Sequence, residues 1–173
     1  GQSLGGWMAL RYAPVRPDKV SGLALLCPGG LAIQRRDFLL RMLVHKIASR
    51  GNRSKEIGGV LGMNGGNPEE AEKMRQALDF ILLITKHEKP RYATLPVFGD
   101  AELARLAMPI LVVFGENDML LNARKSVDRI RRLAPNVTSV LLPGVGHAVL
   151  GQAQRISDFL AGIPSRPGSG VRS

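Results

Sequence analysis

Apolar residues in this chain fall into short continuous runs separated by stretches where they recur every three or four positions, and that alternation predicts the elements. Leu4 to Ala13 reads as a helix whose small Gly5, Gly6 and Ala9 let it lie close on a sheet, with Pro14 and Pro17 as its stop. Val20 to Leu26 is a nearly continuous apolar run bounded by Lys19 and Cys27-Pro28-Gly29-Gly30, the pattern of a strand buried on both faces. Two further strands are predicted at Pro109 to Phe114 and Val137 to Leu142, with a helix over Ala123 to Ala134 directing Val127, Ile130 and Leu133 inward. A final helix carries Val149, Leu150, Ile156, Phe159 and Leu160. Helices alternating with buried strands predict an α/β fold with a doubly wound, mainly parallel sheet.

Residues 31 to 107 depart from this rhythm. Arg35 to Arg50 has an apolar stripe of Phe38, Leu39, Met42, Leu43 and Ile47 and a basic outer face. A second helix begins at Asn67 as N-cap, with Pro68 at its first position and Glu69, Glu70 and Glu72 in its first turns, and carries Met74, Ala77, Leu78, Ile81 and Leu82. No strand pattern interrupts the segment, so the expected organisation is core over 1–30, helical insertion over 31–107, core again over 108–162 and a disordered tail over 163–173.

Against this background one motif stands out. Gly1-Gln2-Ser3-Leu4-Gly5 reads GxSxG and opens directly into the first helix, the sequence form of a strand-to-helix turn that lifts a serine hydroxyl into the open. The glycines on either side are expected to relieve crowding in so tight a turn. Ser3 then stands at a helix N-terminus, and the Leu4 N–H is a candidate donor to developing negative charge. The plainer reading is that Ser3 only caps the helix.

Acyl transfer by serine needs a base and an acid that orients the base. His45 and His87 occupy ordinary helix positions, whereas His147 sits in a Gly-rich turn between the last strand and the last helix, where such a sheet presents groups to its ligand crevice. Asp118 ends the strand before it, with Glu116 as rival acid and an Asx-turn role as the structural alternative. The order Ser3, Asp118, His147 separates this chain from the other two serine triad orders.

Composition narrows the alternatives. The formal charge of +10 suggests nucleic acid, yet no binding motif accompanies it and aromatics are 5%, so a solvated basic surface is expected. The single Cys27 reads as a small buried hydrophobe, permits no internal disulfide and is compatible with a cytoplasmic setting. No apolar run is long enough to span a membrane, and neither a metal-ligand cluster nor a phosphate loop is present in the sequence, so no cofactor is expected. The chain opens on Gly1 with no Met and no strand before the motif, which reads as the C-terminal part of a longer protein.

The segments GQSLGGWMAL, PILVVFGENDML and LLPGVGHAV together resemble the nucleophile, acid and histidine segments of the α/β-hydrolase fold superfamily, and the resemblance extends to about Gly162. It implies Ser3 as nucleophile, Asp118 as acid, His147 as general base, and residues 31–107 as a cap over the substrate pocket. The apolar stripes of the cap helices offer Phe38, Met42 and Met74 as pocket residues, with packing of the cap onto the body as the alternative. A serine in that position argues against relatives with an aspartate nucleophile. The expected activity is hydrolysis of a small-molecule carboxylic ester or related acyl compound through an acyl-enzyme. Carbon-carbon bond hydrolysis and a non-catalytic binding protein that keeps the triad are the alternatives.

Overall fold

Three parallel strands, β1 (Leu23–Leu26), β2 (Ile110–Gly115) and β3 (Val137–Leu142), form the centre of the molecule in the order β1-β2-β3. They come from a computed structural model that describes residues 1–32, 38–52, 55, 58, 59, 61, 62, 68–87 and 95–164. Leu23 pairs with Ile110 and Leu26 with Val113, while Ile110 pairs with Val137 and Gly115 with Leu142. Gln2 adds an isolated parallel bridge to Leu26, so the first residues of the chain lie on the sheet as a fourth strand would.

Burial follows position in the sheet. All six residues of the central β2 are buried, as its unbroken apolar sequence predicts. The predicted Val20–Leu26 strand is shorter, beginning at Leu23, and it alternates: Leu23 and Leu25 are buried, Ala24 and Leu26 only partly. Its apolar run therefore serves one face fully and the other in part. Side chains from helices α1 (Leu4–Tyr12), through Leu10, and α5 (Ala123–Leu133), through Val127 and Ile130, join Leu25, Val112 and Phe114 in one core. Each such aliphatic burial contributes roughly 1.5–3 kcal/mol, and Ile130→Ala is expected to cost about 2–5 kcal/mol.

Local signals explain most helix ends. The Asn122 side chain accepts the Lys125 N–H at 3.2 Å and caps α5, while Arg131 and Arg132 sit in its last turn, where cations favour the dipole. The last helix, α6 (Ala153–Ala161), starts later than predicted, because Gly151 at φ +70° separates it from Val149 and Leu150. Val149 is buried in the core from the loop instead.

Within 31–107 the described residues form helices α2 (Phe38–Ala48), α3 (Pro68–His87) and the single turn α4 (Asp100–Leu103). Ala77, Leu78, Ile81 and Leu82 of the predicted α3 stripe are partly buried, and Phe80, Leu83 and Ile84 beside them are exposed. In α2 the outcome differs from expectation: Leu43 and Ile47 are exposed, as are Leu40 and Val44. The spacing identifies an apolar face correctly, but which surface meets it is a tertiary matter that periodicity does not specify. The side chains of Phe38, Met42 and Met74 lie outside the described residues.

The two stems of this segment are clasped together. The Phe98 N–H donates to Gly30 O at 2.9 Å, and Arg129 of α5 donates to Leu31 O at 2.8 Å, to Phe98 O at 2.5 Å and to Asp100 Oδ1 at 3.0 Å from Nε. Trp7 of α1 donates to Pro96 O at 2.9 Å and stacks on Phe98 with ring centroids 5.6 Å apart. Phe98, Leu103 and Leu106 share the sheet's core, so the segment returns to the body well before Pro109.

Candidate active site

The serine turn is held from both sides. The Ser3 N–H donates to Leu26 O at 2.9 Å, and Ser3 O accepts the N–H groups of Trp7 at 3.0 Å and Gly29 at 3.2 Å. These bonds fix a left-handed backbone at φ +50°, ψ −113°, a conformation that costs of order 1–3 kcal/mol for a residue with a side chain. Glycine is required at position 1, where a Cβ would come within 2.5 Å of Gly5 O. The second crowded position is Gly6, whose Cβ would meet Pro28 Cβ at 2.8 Å; Gly5, expected to be crowded, has open space around it. The turn is relieved at Gly1, and the helix approaches the segment after β1 through Gly6.

Ser3 does not cap α1 with its side chain. Its Oγ lies 2.9 Å from His147 Nε2, and His147 Nδ1 lies 2.7 Å from Asp118 Oδ2. A carboxylate can only accept, so Nδ1 donates to Asp118 and Nε2 is left as acceptor for the Ser3 hydroxyl. Asp118 is 1% and His147 5% exposed, so the chain of bonds runs out of water's reach toward the serine. The three residues come from three loops at the carboxyl edge of the sheet: after the Gln2 bridge, after β2 and after β3.

Asp118 makes the contacts of both readings weighed for it, one with each oxygen. Oδ1 accepts the N–H groups of Leu120 at 2.8 Å and Leu121 at 2.9 Å, an Asx-type turn, and Oδ2 faces the histidine. The rival Glu116 points elsewhere, into an ion pair with Arg124. The acid and histidine loops are laced by Asn117 N–H to Val145 O at 2.8 Å. As the first residue of α1, Leu4 has no intrahelical carbonyl for its N–H, which is the property an oxyanion donor needs. His87 is exposed at the end of α3, and the side chain of His45 lies outside the described residues.

The sequence reading missed one residue of this site. Cys27 is fully buried as expected, but it lies at the carboxyl end of β1 with φ +42°, and its sulfur falls with Asp118 and His147 in a cluster whose ligating atoms are all within 4.8 Å of one another. Burial pushes its thiol up to about 12; a backbone bond from Gly115 pulls back, and the Asp118 charge adds to the rise. A thiol held protonated there places no second anion beside Asp118. Among the described residues this is the one cluster with metal-ligating potential, and binding would require removing that tightly held proton and breaking the Asp118–His147 bond. Its signal in the sequence was placement, since Cys27 directly follows a buried strand at the edge where the other site residues lie.

Comparison with known proteins identifies the family. The profile of the alpha/beta hydrolase family matches residues 1–159. The chain is 24% identical to human (Homo sapiens) monoacylglycerol lipase ABHD6, over 94% of this chain and 54% of that protein. It is 26% identical to pimeloyl-(acyl-carrier protein) methyl ester esterase of Nitrosomonas europaea, over 86% of this chain and 63% of that protein. The crystal structure of esterase RhEst1 from a Rhodococcus species superposes with a TM-score of 0.68 at 19% identity, covering 95% of this chain and 64% of that one. The chain thus spans between about half and two thirds of the length of these relatives. No helix among the described residues is long and apolar enough to cross a membrane. From the matched profile, the parallel sheet and the carboxyl-edge placement of Ser3, Asp118 and His147, this chain belongs to the alpha/beta hydrolase family.

Proposed function

We propose that this chain carries the triad of a serine hydrolase acting on a carboxylic ester or related acyl compound. The observation that carries the reading is the unbroken Asp118–His147–Ser3 hydrogen-bond chain, 2.7 Å and 2.9 Å in its two links. In the first step Ser3 Oγ attacks the acyl carbon as His147 Nε2 takes its proton, and the imidazolium that forms is stabilised by Asp118. The Leu4 N–H, at the positive end of α1, faces the negative charge that develops on the carbonyl oxygen. His147 returns the proton to the leaving alcohol; water, deprotonated by the same nitrogen, then releases the acid and restores Ser3.

Support for an ester substrate comes from the relatives, named as a monoacylglycerol lipase and a methyl ester esterase. Residues 31–107 are assigned as the cap that sets substrate choice, with Phe38, Met42 and Met74 lining its pocket. Triad members act as one unit, so Ser3→Ala and His147→Ala in the full-length protein should each lower kcat by several orders of magnitude, and the double variant should be scarcely worse than either. Additive losses, with the fold intact, refute the assignment.

A further inference from the structure

The loop that carries His147 is gripped on both sides by glycine. Toward the sheet, a Cβ on Gly115, the last residue of β2, would lie 2.5 Å from Val145 O. Toward the insertion, a Cβ on Gly62 would lie 2.5 Å from Gly146 Cα and 3.0 Å from Gly146 N, and a Cβ on Gly146 would lie 2.5 Å from Gly62 Cα. Gly62 also has φ +68°, so glycine is favoured there twice, by conformation and by space. The Ala148 N–H donates to Leu61 O at 2.9 Å. Both chain neighbours of His147 are therefore fixed by residues 61 and 62, Gly146 by van der Waals contact and Ala148 by a hydrogen bond.

We propose that the Leu61–Gly62 turn is a positioning element for His147, so that the insertion contributes to the chemical step through the base as well as covering the pocket. The inference rests on His147 being that base. Its physical basis is that a side chain on Gly62 has backbone, not a flexible tip, as its neighbour, so one of the two backbones must shift; either shift alters the contact that holds the 145–148 loop, and with it the seating of the 2.9 Å link from Nε2 to Ser3 Oγ. Misplacement of about 1 Å can cost on the order of a hundredfold in rate.

Gly51 provides the control, because it lies in the same insertion with φ +81° and has nothing within 4 Å of the position its Cβ would take. Gly51→Ala shares the backbone cost of a left-handed alanine without touching the histidine loop. In the full-length protein, Gly62→Ala should lower kcat about tenfold to a hundredfold with KM changed less than about threefold, while Gly51→Ala stays within about threefold in both. A readout independent of turnover is the proton NMR signal of the His147 Nδ1–H, which should shift or vanish in Gly62→Ala and persist in Gly51→Ala. Equal kcat losses in the two variants, or an unchanged Nδ1–H signal in Gly62→Ala, overturn the proposal. Should Gly62→Ala not fold, hydrogen exchange of the unaltered protein decides: a slowly exchanging Ala148 amide is expected, and exchange at the rate of an open amide overturns it. Absence of any Ser3-dependent turnover in the unaltered protein instead defeats the hydrolase reading, and the NMR comparison still tests the positioning.

Discussion

Replacing Asp118 by asparagine separates its turn bonds from the role proposed for it toward His147. The asparagine carbonyl can keep the two turn bonds from Leu120 and Leu121, so the loop should stay folded. Its NH2 group then faces His147 Nδ1, where the carboxylate oxygen lay at 2.7 Å. Donation from that group forces Nδ1 to accept and moves the ring proton to Nε2, the nitrogen 2.9 Å from Ser3 Oγ. A base protonated on that nitrogen cannot take the serine proton. The expected loss is about four orders of magnitude in kcat, or roughly 5.5 kcal/mol at 1.36 kcal/mol per decade. Steady-state hydrolysis of a chromogenic ester, with a thermal melt alongside, measures both effects in the full-length protein. Activity within tenfold of the unaltered enzyme, or a larger loss in Glu116→Gln than in Asp118→Asn, would show that the acid has been misassigned.

Three other outcomes follow from the packing. Because the Cys27 thiol ionises near 9 when exposed and about 12 in the fold, its proton contributes stability that is full below pH 9 and is lost as pH rises toward 12. The difference in unfolding free energy between the unaltered protein and Cys27→Ala should therefore change above pH 9 with a slope approaching ~1.4 kcal/mol per pH unit, and a flat difference counts against the buried, protonated thiol. Arg129→Leu leaves the Leu31 and Phe98 carbonyls without their guanidinium partner and should cost about 1–3 kcal/mol in denaturant unfolding; an unchanged midpoint means the clasp contributes nothing. Shortening Phe38, Met42 and Met74 to alanine should shift relative kcat/KM across ester chain lengths by roughly tenfold, whereas equal losses at every length, in step with stability, make those residues structural.

Those expectations also mark where sequence reading succeeds and where it stops. Strands β2 and β3 and helix α5 were legible because their patterns are long and internally consistent, and the hydrogen-bonded trio was legible because GxSxG, an acid after a strand and a histidine in a Gly-rich turn each have a local signature. What failed was information that only packing holds. Gly5 and Gly6 are indistinguishable in sequence, and it is Gly6 that meets Pro28. Leu43 and Ile47 have helical spacing and are nonetheless exposed. Cys27 reads as core until β1 and β2 pair and bring its sulfur beside Asp118. Gly62 lies more than eighty residues before the loop it supports, and no periodicity links the two.

The central claim is that Ser3 is a nucleophile activated by His147, and covalent labelling tests it most directly. A fluorophosphonate probe reacts with an activated serine and forms a stable adduct that peptide mass spectrometry locates by residue. In the full-length protein the adduct should appear on the peptide containing Ser3 and disappear in both Ser3→Ala and His147→Ala, with the folded structure of each variant checked by its thermal transition. An adduct absent from Ser3 in the unaltered protein, or labelling of Ser3 undiminished by His147→Ala, would contradict the account.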